Sequence, residues 1–415
     1  MERKQRKRSP RRRLLLRGLA FSSLLAAPVL LAVTTEAPAG FDNLTNGFEA
    51  QANMDADRAK FDEIEQISDG LGPNYNAQSC RECHQNPVTG TISQITELRA
   101  GSTNNGVFTP HPGGSLIFSR AIDPSIQVRA LGTDTTATFR TSLNTAGDGF
   151  VEALPDSAFT SIQSQQAAFG LQGTIIRVPV LEASGVTRIG RFGWKNQHAS
   201  LLSFSSDAYL NEMGITNPLN PTENTSNGVD VSYLNTQNGV PAIQDPATPS
   251  DPFGADVGSF TRFMRSLKVP PRDTVLAATP DAQAGAQIFS AIGCNICHVP
   301  TLTTAPAGTS FNGGQFVVPA ALGSKTFHPY SDFMLHDVGT GDGIVQNGPQ
   351  STANLMRTAP LWGVRTRNRL LHDGESITRN DAILRHGNQA ELVIINYIFL
   401  STTQKNQLIT FLNSL

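Results

Sequence analysis

Apolar residues recur every three or four positions in three separate stretches of this chain, a spacing typical of helices that pack one face on a core. They are Phe61, Ile64 and Ile67 near residues 53–67; Phe260, Phe263, Met264 and Leu267 in "GSFTRFMRSLKVPPR"; and Leu408, Phe411, Leu412 and Leu415 in the C-terminal "STTQKNQLITFLNSL". A further helix is predicted after Thr279-Pro280, because Thr is a good N-cap and Pro fits the first helical turn. Pro270-Pro271 ends the second stretch, and we predict a domain boundary there.

Other stretches predict strands or loops. Residues 173–194, "GTIIRVPVLEASGVTRIGRFGW", alternate β-forming residues around Ala183-Ser184-Gly185, which predicts a β-hairpin. Residues 217–252 are rich in Pro, Asn, Thr and Asp with little apolar periodicity, so we expect a long surface loop. The chain has 36 Gly and 25 Pro among 415 residues. The prediction is therefore a mainly α protein with long loops and a small β-hairpin.

The N-terminus has the order of a secretory signal peptide. Nine Lys and Arg occur within the first 17 residues, followed by an apolar run from Gly18 to Val33 and then Ala37-Pro38-Ala39. The apolar run is shorter than the ~20 residues that span a bilayer. We therefore predict that residues 1–39 are a signal peptide and that the protein is periplasmic.

The predicted mature chain is acidic. Removing residues 1–39 takes away nine of the 32 basic and two of the 34 acidic residues, which leaves 23 against 32 and a net charge near −9. This charge disfavours nucleic acid and anionic membrane as partners, and it favours a basic partner. After signal cleavage no membrane contact is predicted.

All four cysteines belong to two copies of one motif, C-x-x-C-H: "SCRECHQ" at residues 79–85 and "GCNICHV" at residues 293–299. Two cysteines three residues apart project from one helical turn and can form thioethers with the two vinyl groups of a haem. The histidine that follows can bind the iron. The motifs predict two covalent haem c groups, held by Cys80, Cys83 and His84 and by Cys294, Cys297 and His298.

Three other kinds of cysteine site fit this sequence less well. A thioredoxin-like pair requires a βαβ setting, which neither motif has, and a zinc ribbon spaces its cysteine pairs by roughly 15–20 residues. A structural disulfide would leave both histidines unexplained. Two haem sites then divide the chain into two cytochrome c-like domains, residues 40–270 and 271–415, which share the motif and little other sequence.

Several segments resemble those of the bacterial di-haem oxidoreductase family, a branch of the di-haem cytochrome c peroxidase and MauG-like group. They run in order from about residue 60 to the C-terminus and are "DGLGPNYNAQSCRECH", "GDGFVEALPD", "GRFGWKNQHASL", "YSDFMLHDVG", "RTAPLWGVRTRNRLLHDG" and "DAILRHGNQAE". The resemblance implies that one haem has an open iron face, where peroxide or oxygen reacts, while the other relays electrons.

The resemblance also implies a ligand for the relay iron. Peroxidases of the group carry H-D-G, a spacer and A-V-x-x-Met, and the position of that methionine is occupied here by His386 in "HDGESITRNDAILRHG". Thr378 can cap a short helix that ends near Gly387, which puts His386 in its last turn. The alternatives are a histidine stabilised by the helix dipole or Met334 as the ligand. Methionine ligation raises a haem potential, so a bis-histidine site should have a lower one.

Glu152 in "GDGFVEALPD" is the predicted proton-transfer residue at the open haem, because relatives carry a glutamate at a comparable distance from the first motif; a solvated or ion-paired glutamate is the alternative. The remaining candidates have plainer interpretations as well. His111 could cap the first haem or be a loop residue, and His336 and His372 could bond propionates or water. His198 and His328 are read as structural, and Trp194 and Trp362 as packing residues or as an aromatic between the haems.

The predicted function is that of an exported di-haem oxidoreductase, peroxidase-like, with peroxide or oxygen as oxidant and a small redox protein as electron partner. The alternatives are a di-haem oxygenase of the rubber-cleaving type, favoured by an apolar channel to the first haem, and a non-catalytic di-haem electron carrier. Relatives bind calcium between their domains, but Arg369 stands where they have proline. Calcium is therefore not part of the prediction.

Overall fold

The computed structural model describes residues 34–415, so the predicted signal peptide lies outside the described residues except for its last six. About a third of the chain is helical and about a seventh is strand. The helices are α1 (Gln51–Asp62), α2 (Cys80–Cys83), α3 (Asp148–Glu152), α4 (Asp156–Gln166), α5 (Leu201–Met213), α6 (Tyr233–Gln237), α7 (Ala255–Ser266), α8 (Thr274–Ala277), α9 (Pro280–Ala291), α10 (Arg379–Leu384), α11 (Glu391–Ile398) and α12 (Thr402–Leu412).

The strands are short and form several small sheets. They are β1 (Thr35–Glu36), β2 (Asn74–Tyr75), β3 (Thr96–Asn104), β4 (Val107–Pro110), β5 (Leu116–Ile117), β6 (Arg120–Ala121), β7 (Thr136–Thr141), β8 (Arg177–Pro179), β9 (Thr187–Ile189), β10 (Leu302–Thr303), β11 (Ser310–Phe311), β12 (Phe316–Val317), β13 (Lys325–Phe327), β14 (Leu335–His336) and β15 (Met356–Arg357). The predicted hairpin is present, because β8 and β9 pair antiparallel.

The sequence pattern missed the largest sheet. Strand β3 pairs with β4 and β5 along one edge and with β7 along the other, all antiparallel. Its side chains alternate: Leu98 and Ala100 pack in a small apolar cluster, whereas Glu97 and Arg99 face the opposite side. This alternation is the usual signature of a sheet with one apolar face.

The helix predicted near residues 53–67 is shorter than expected. Helix α1 ends at Asp62, so its stripe is Met54 and Phe61, both buried. Ile64 and Ile67 lie beyond its end with 62% and 40% of their surface exposed, and the prediction that they share its buried face was wrong. The chain after α1 turns away because its next residues adopt extended and 3-10 conformations.

The other predicted helices pack as their apolar stripes indicate. All four residues of the stripe in and just after α7 are buried, as are those of the C-terminal stripe. Thr279 caps α9, its hydroxyl accepting a hydrogen bond from the amide of Ala282. Helices α9 and α12 approach closely at Gly285, where a Cβ would lie 2.0 Å from the carbonyl oxygen of Gln407. Only glycine fits this crossing.

Two apolar cores position the functional residues. The larger core contains residues from Ala37 to Trp362, and it therefore includes side chains from both sides of the boundary predicted at residue 270. The smaller core is built from α9, α11, α12 and the segment around Val364 and Leu370. In both cores, aromatic rings surround a C-x-x-C-H motif.

Residues 34–39 are part of this fold. Strand β1 pairs parallel with β13. Ala37 is buried, and Ala39 forms an isolated parallel bridge with Val269. The predicted end of the signal peptide at residue 39 thus lies after β1, within a segment that is part of the fold. Among residues 34–415, no helix combines the length and apolar character that crossing a bilayer requires.

Candidate functional site

The first C-x-x-C-H motif is a single capped turn. Cys80 to Cys83 form α2, and the Ser79 hydroxyl accepts a hydrogen bond from the amide of Arg81. The amide of His84 donates to the carbonyl of Cys80 at 3.1 Å. Both cysteines and the histidine line one cavity, the first cavity, which contains about 1300 Å³ of empty space including its open part.

The second motif is a tighter turn. It follows α9 through Gly293, whose φ of +100° lies in the left-handed region that favours glycine. Cys294 begins a 3-10 turn, and the amide of His298 donates to the carbonyl of Cys294 at 3.0 Å. Cys294, Cys297 and His298 line the second cavity, which contains about 1420 Å³ of empty space including its open part.

His84, His298 and His386 are held in the same way. The Nδ1 of each lies 2.8–2.9 Å from a backbone carbonyl oxygen, of Thr91, Tyr330 and Ala382 respectively. A carbonyl only accepts, so Nδ1 carries the hydrogen and Nε2 keeps a lone pair. This is how metal-binding histidines are commonly oriented.

Burial keeps these three imidazoles neutral. Desolvation lowers the pKa of His84 and His386, and it lowers the pKa of His298 to about 4, with a further contribution from the nearby His386. A neutral imidazole can bind a metal without first losing a proton.

His386 reaches the second cavity from α10. The Thr378 hydroxyl caps this helix by accepting a hydrogen bond from the amide of Asp381, as predicted. The helix ends at Leu384, and His386 lies two residues later, where its ring turns back to the carbonyl of Ala382. His386 and His298 line the same cavity.

The two other ligand candidates near the second motif are less suited. Met334 is buried in the larger core and does not line either cavity. His336 lines the second cavity, but its Nε2 bonds Asp332 at 2.8 Å and its Nδ1 bonds Gln389 at 3.0 Å. Burial disfavours its charged form, yet Asp332 outweighs this and raises the pKa of His336 to about 11. His336 is therefore held as a cation.

Two arginine side chains in the second cavity are only partly satisfied, since each donates to one backbone carbonyl. Arg357 and Arg379 line it, and the Nε atoms of both are buried without a hydrogen-bond partner. Burial lowers the pKa of Arg357 and of Arg367, each to about 10. Buried guanidinium groups of this kind fit a ligand that carries carboxylates.

The wall of the first cavity is charged and was not identified from the sequence. Five acidic or basic side chains line it in addition to the motif residues: Glu97, Arg99, Arg140, Asp207 and Glu212. Burial raises the pKa of Glu212 to about 8, and the negative charge of Glu97 adds to the effect. The alternation in "TELRA" is the signal that would have indicated a strand with Glu97 and Arg99 on one side.

Glu152 does not line either cavity. It is fully buried, and both carboxylate oxygens bond the guanidinium of Arg265 at 2.7 and 2.9 Å. It also accepts from the amide of Leu201 at 3.0 Å, which leaves little capacity for another partner. The geometry thus favours the ion-paired alternative for Glu152 over the proposed role in proton transfer.

Trp194 is common to both cavities. Its indole N–H donates to the carbonyl of Thr141 at 2.8 Å, and its ring meets that of His372 edge-on with the centroids 6.1 Å apart. His372 lines the second cavity. Trp362 packs in the larger core against Phe327 and does not line either cavity.

The other histidines lie elsewhere. His111 is buried between Asp134 at 2.8 Å and Asn227 at 3.0 Å and does not line the first cavity. His198 bonds Asp207 at 3.0 Å, and His328 is half exposed beside Glu36.

Comparisons with known proteins bear on these cavities. Residues 118–415 match the family model described as "Di-haem oxidoreductase, putative peroxidase". The matched range includes the second motif and His386, whereas the first motif precedes it. No curated protein sequence matches the chain.

Two solved structures are similar at low identity. One is the hydrazine synthase of Kuenenia stuttgartiensis pressurised with 20 bar xenon, at 13% identity and a TM-score of 0.40, covering 100% of each chain. The other is a MauG-like protein associated with microbial copper homeostasis, at 13% identity and a TM-score of 0.40, covering 94% of this chain and 95% of that chain. At this level of similarity neither structure carries an argument about activity.

Proposed function

Because this chain belongs to the di-haem oxidoreductase family, we propose that it is an exported peroxidase-like enzyme with a reactive first cavity and an electron-relaying second cavity. One observation carries the proposal. The second cavity contains two histidines, His298 and His386, whose Nδ1 atoms are held by backbone carbonyls, whereas the first contains one such histidine, His84, beside a cluster of carboxylates and arginines.

The two cysteine pairs are proposed to bind haem covalently, with His84 and His298 as the protein ligands of the two irons. Each pair lies with its histidine at the wall of one of the two cavities. The Nε atoms of Arg357 and Arg379, which are buried without a hydrogen-bond partner, fit the propionates of the second group. When bound, haem supplies the redox chemistry of iron that no side chain in the cavities offers.

His386 is proposed as the second protein ligand in the second cavity. Its bond to the carbonyl of Ala382 fixes the ring and leaves Nε2 as the only nitrogen able to bind a metal. His298 and His386 would together hold the iron, which would leave this site closed to oxidants. The closed site is suited to relaying electrons and the open one to reacting.

Glu212 is proposed as the proton donor of the first cavity. Reduction of an O–O bond requires protons at the leaving oxygen, and a general acid works best when its pKa lies near the working pH. The pKa of Glu212 is raised to about 8, chiefly by burial, so its carboxyl is protonated at pH 7. Glu212 also lines the cavity, which Glu152 does not.

Trp194 is proposed to connect the two sites. It lies in the wall of both cavities, and His372 extends the aromatic contact into the second. Electrons from the relay would pass this side chain on the way to the reactive site.

A small redox protein is the proposed electron partner, and the exposed side of α11 is a suitable contact. Leu392, Ile395, Ile398 and Phe399 are 73%, 41%, 53% and 84% exposed. The opposite side of the same helix, Val393 and Ile394, lines the second cavity. Exposed apolar patches commonly mark binding surfaces, and the acidic charge of the chain favours a basic partner.

The finer organisation is also part of the proposal. Cleavage of an N-terminal signal would deliver the protein to the periplasm, where its redox partner would be found. Residues 40–270 and 271–415 would each supply one cytochrome c-like haem site, joined by the larger core. Strand β1 lies before residue 40, so the proposed cleavage would remove a strand that contacts β13.

The charged wall of the first cavity favours the peroxidase-like function over the oxygenase alternative, which predicts an apolar channel. Stopped-flow spectroscopy of the fully reduced and fully oxidised protein, mixed with peroxide and separately with oxygen, tests this choice. We expect a spectral change at the first haem within the first turnover with peroxide. Two six-coordinate irons that bind neither cyanide nor carbon monoxide in any redox state would leave only the electron-carrier alternative.

A further inference from the structure

Two carboxyl groups meet in the wall of the first cavity. Glu97 comes from β3 and Glu212 from the last turn of α5, and both carboxyl groups line the cavity close enough for the charge of one to act on the other. Each also has a fixed outer partner. Arg99 donates from Nε to Glu97 at 2.5 Å, and the side-chain amide of Asn76 donates to Glu212 at 3.0 Å.

The register of the sheet explains this arrangement. Glu97 and Arg99 are two residues apart on β3 and therefore point to the same face. Glu97 also lies directly opposite Arg140 of β7 in the antiparallel pairing. One face of the sheet thus presents two guanidinium groups and one carboxylate to the cavity, while Leu98 and Ala100 pack on the other side.

Two neighbouring buried carboxylates repel each other, so one of the two groups favours its protonated form. The position of Arg99 decides where that proton lies. Burial opposes ionisation of Glu97, but the ion pair with Arg99 outweighs it and lowers the pKa of Glu97. Burial and the charge of Glu97 both act on Glu212 in the opposite direction. The proton therefore belongs to Glu212.

The neighbouring charges have partners of their own. Asp207 bonds His198 at 3.0 Å, and Arg140 bonds Asp342 at 2.7 Å. Glu82, next to Cys83, bonds Arg120 at 2.9 Å. Among these carboxylates, Glu97 is the one whose charge contributes to the raised pKa of Glu212.

We propose that Glu97 is a positioning residue that holds a proton on Glu212 for delivery to the bound oxidant, with Arg99 as its anchor. Both Glu97 and Arg99 precede residue 118, so the family match does not assign them. The inference rests on the proposed function. Reduction of hydrogen peroxide to two water molecules consumes two electrons, which the redox partner supplies, and two protons. Glu212 donates one proton to the leaving oxygen, and water supplies the other.

Infrared difference spectroscopy reads this proton directly. A protonated carboxyl has a C=O band that shifts in D₂O, and in the wild-type holoprotein this band should titrate near the pKa of about 8 given by the structure and be absent from Glu212→Gln. Glu97→Gln removes the neighbouring charge, so the midpoint should fall by about 1–2 pH units. Glu97→Asp keeps the charge and should restore most of the shift.

The pH dependence of the peroxide reaction supplies a second measurement. The wild-type rate should fall as the pH rises through about 8, because Glu212 loses its proton there. In Glu97→Gln the fall should begin at lower pH, while the rates at pH 5 should agree. Glu375→Gln is the control, since it makes the same charge change at a largely exposed side chain that lines neither cavity, and its profile should be that of the wild type.

The outcomes separate the two proposals. A midpoint that does not move in Glu97→Gln, or a rate that falls equally at every pH, would overturn the role of Glu97. A midpoint that moves in a protein that does not react with peroxide would leave the carboxyl pair standing and remove the proposed function. Peroxide reduction together with an unchanged midpoint in Glu97→Gln would support the proposed function and overturn the role of Glu97.

Discussion

The two cavities share one construction and differ in what surrounds it. Each has a C-x-x-C-H turn whose histidine donates from Nδ1 to a backbone carbonyl. The second cavity adds another histidine of the same kind, His386, within mostly apolar walls, and the first adds Glu97, Arg99 and Glu212. The comparison teaches that similar C-x-x-C-H turns can lie in cavities of different chemistry. The difference comes from the other side chains that line each cavity.

The opposite walls have different origins in the chain. The wall of the first cavity comes from a β-sheet and from α5, whose residues are far apart in sequence, and its charges pair with each other across elements. His386 reaches the second cavity from a position just after one short capped helix, α10. A charged wall needs several structural elements, since each buried charge requires a partner of opposite charge. A neutral ligand can be placed by a single element.

The largest expected effect comes from removing one attachment turn. Cys80→Ala with Cys83→Ala should lower the haem content from two per chain to one and abolish the reaction with peroxide, because the reactive site is lost. Pyridine haemochrome assays on purified protein measure the content.

The matched double variant, Cys294→Ala with Cys297→Ala, should also retain one haem but should keep peroxide binding at the first cavity. A chain that still carried two haems in either variant would contradict the attachment assignment.

Making the second cavity resemble the first is the next test. His386→Ala removes a ligand from a cavity that already contains His298, so a high-spin signal should appear and the second site should bind cyanide. His386→Met should keep the site closed and raise its potential, because methionine ligation raises haem potentials. Electron paramagnetic resonance and a redox titration measure both changes, and the spectrum of the first haem should not move. Low-spin spectra with unchanged potentials in both variants would assign the ligand to another residue.

The wall between the cavities depends on a buried charge cluster. The carboxylate of Asp342 bonds Arg140 at 2.7 Å and Lys195 at 2.9 Å, and all three side chains are almost fully buried. Asp342→Asn leaves two buried cations without an anion, so the free energy of unfolding should fall by about 3–5 kcal/mol. Urea unfolding followed by circular dichroism measures it.

Asp373→Asn is the control for that experiment, because its ion pair with Arg385 is partly exposed and its loss should cost about 1 kcal/mol or less. Equal losses in the two variants would mean that the cluster around Asp342 does not stabilise the wall.

The smallest expected effect concerns Trp194. Trp194→Phe keeps most of the packing but removes the hydrogen-bond donor to the carbonyl of Thr141. The free energy of unfolding should fall by about 1–3 kcal/mol. Transfer of an electron from the second haem to the first should slow, while the spectra of both haems stay the same. Flash photolysis of the half-reduced protein measures that rate. Trp362→Phe, in the larger core, should not change it, and a rate unaffected by either variant would exclude Trp194 from the path.

Local patterns predicted the elements of this protein better than they predicted its site. The stripes of α7 and α12 and the caps of α9 and α10 follow from spacing and short-range hydrogen bonds, which the sequence contains in full. Ile64 and Ile67 continue the helical spacing of apolar residues, but the backbone leaves the helix before them. Periodicity alone does not show where a helix stops.

The site shows the same division. The two motifs could be named as haem-site candidates because each is a contiguous string, and His386 because the family resemblance implied its position. Glu212 could not, since its proposed role depends on Glu97, which comes near it only through the pairing of β3 and the position of α5. Glu152 was chosen by its distance along the chain from the first motif, and distance along the chain does not fix which cavity a side chain faces.

Strand β1 has a consequence for the order in which the chain assembles. Its partner β13 lies about three hundred residues later, and Lys325 reaches across to the hydroxyl of Thr35. Closing so long a loop carries a large entropic cost that local helices and turns do not bear. Contacts of such range form after local ones. The first strand of the described chain is therefore among the last to dock, and it joins the fold only when most of the chain is already in place.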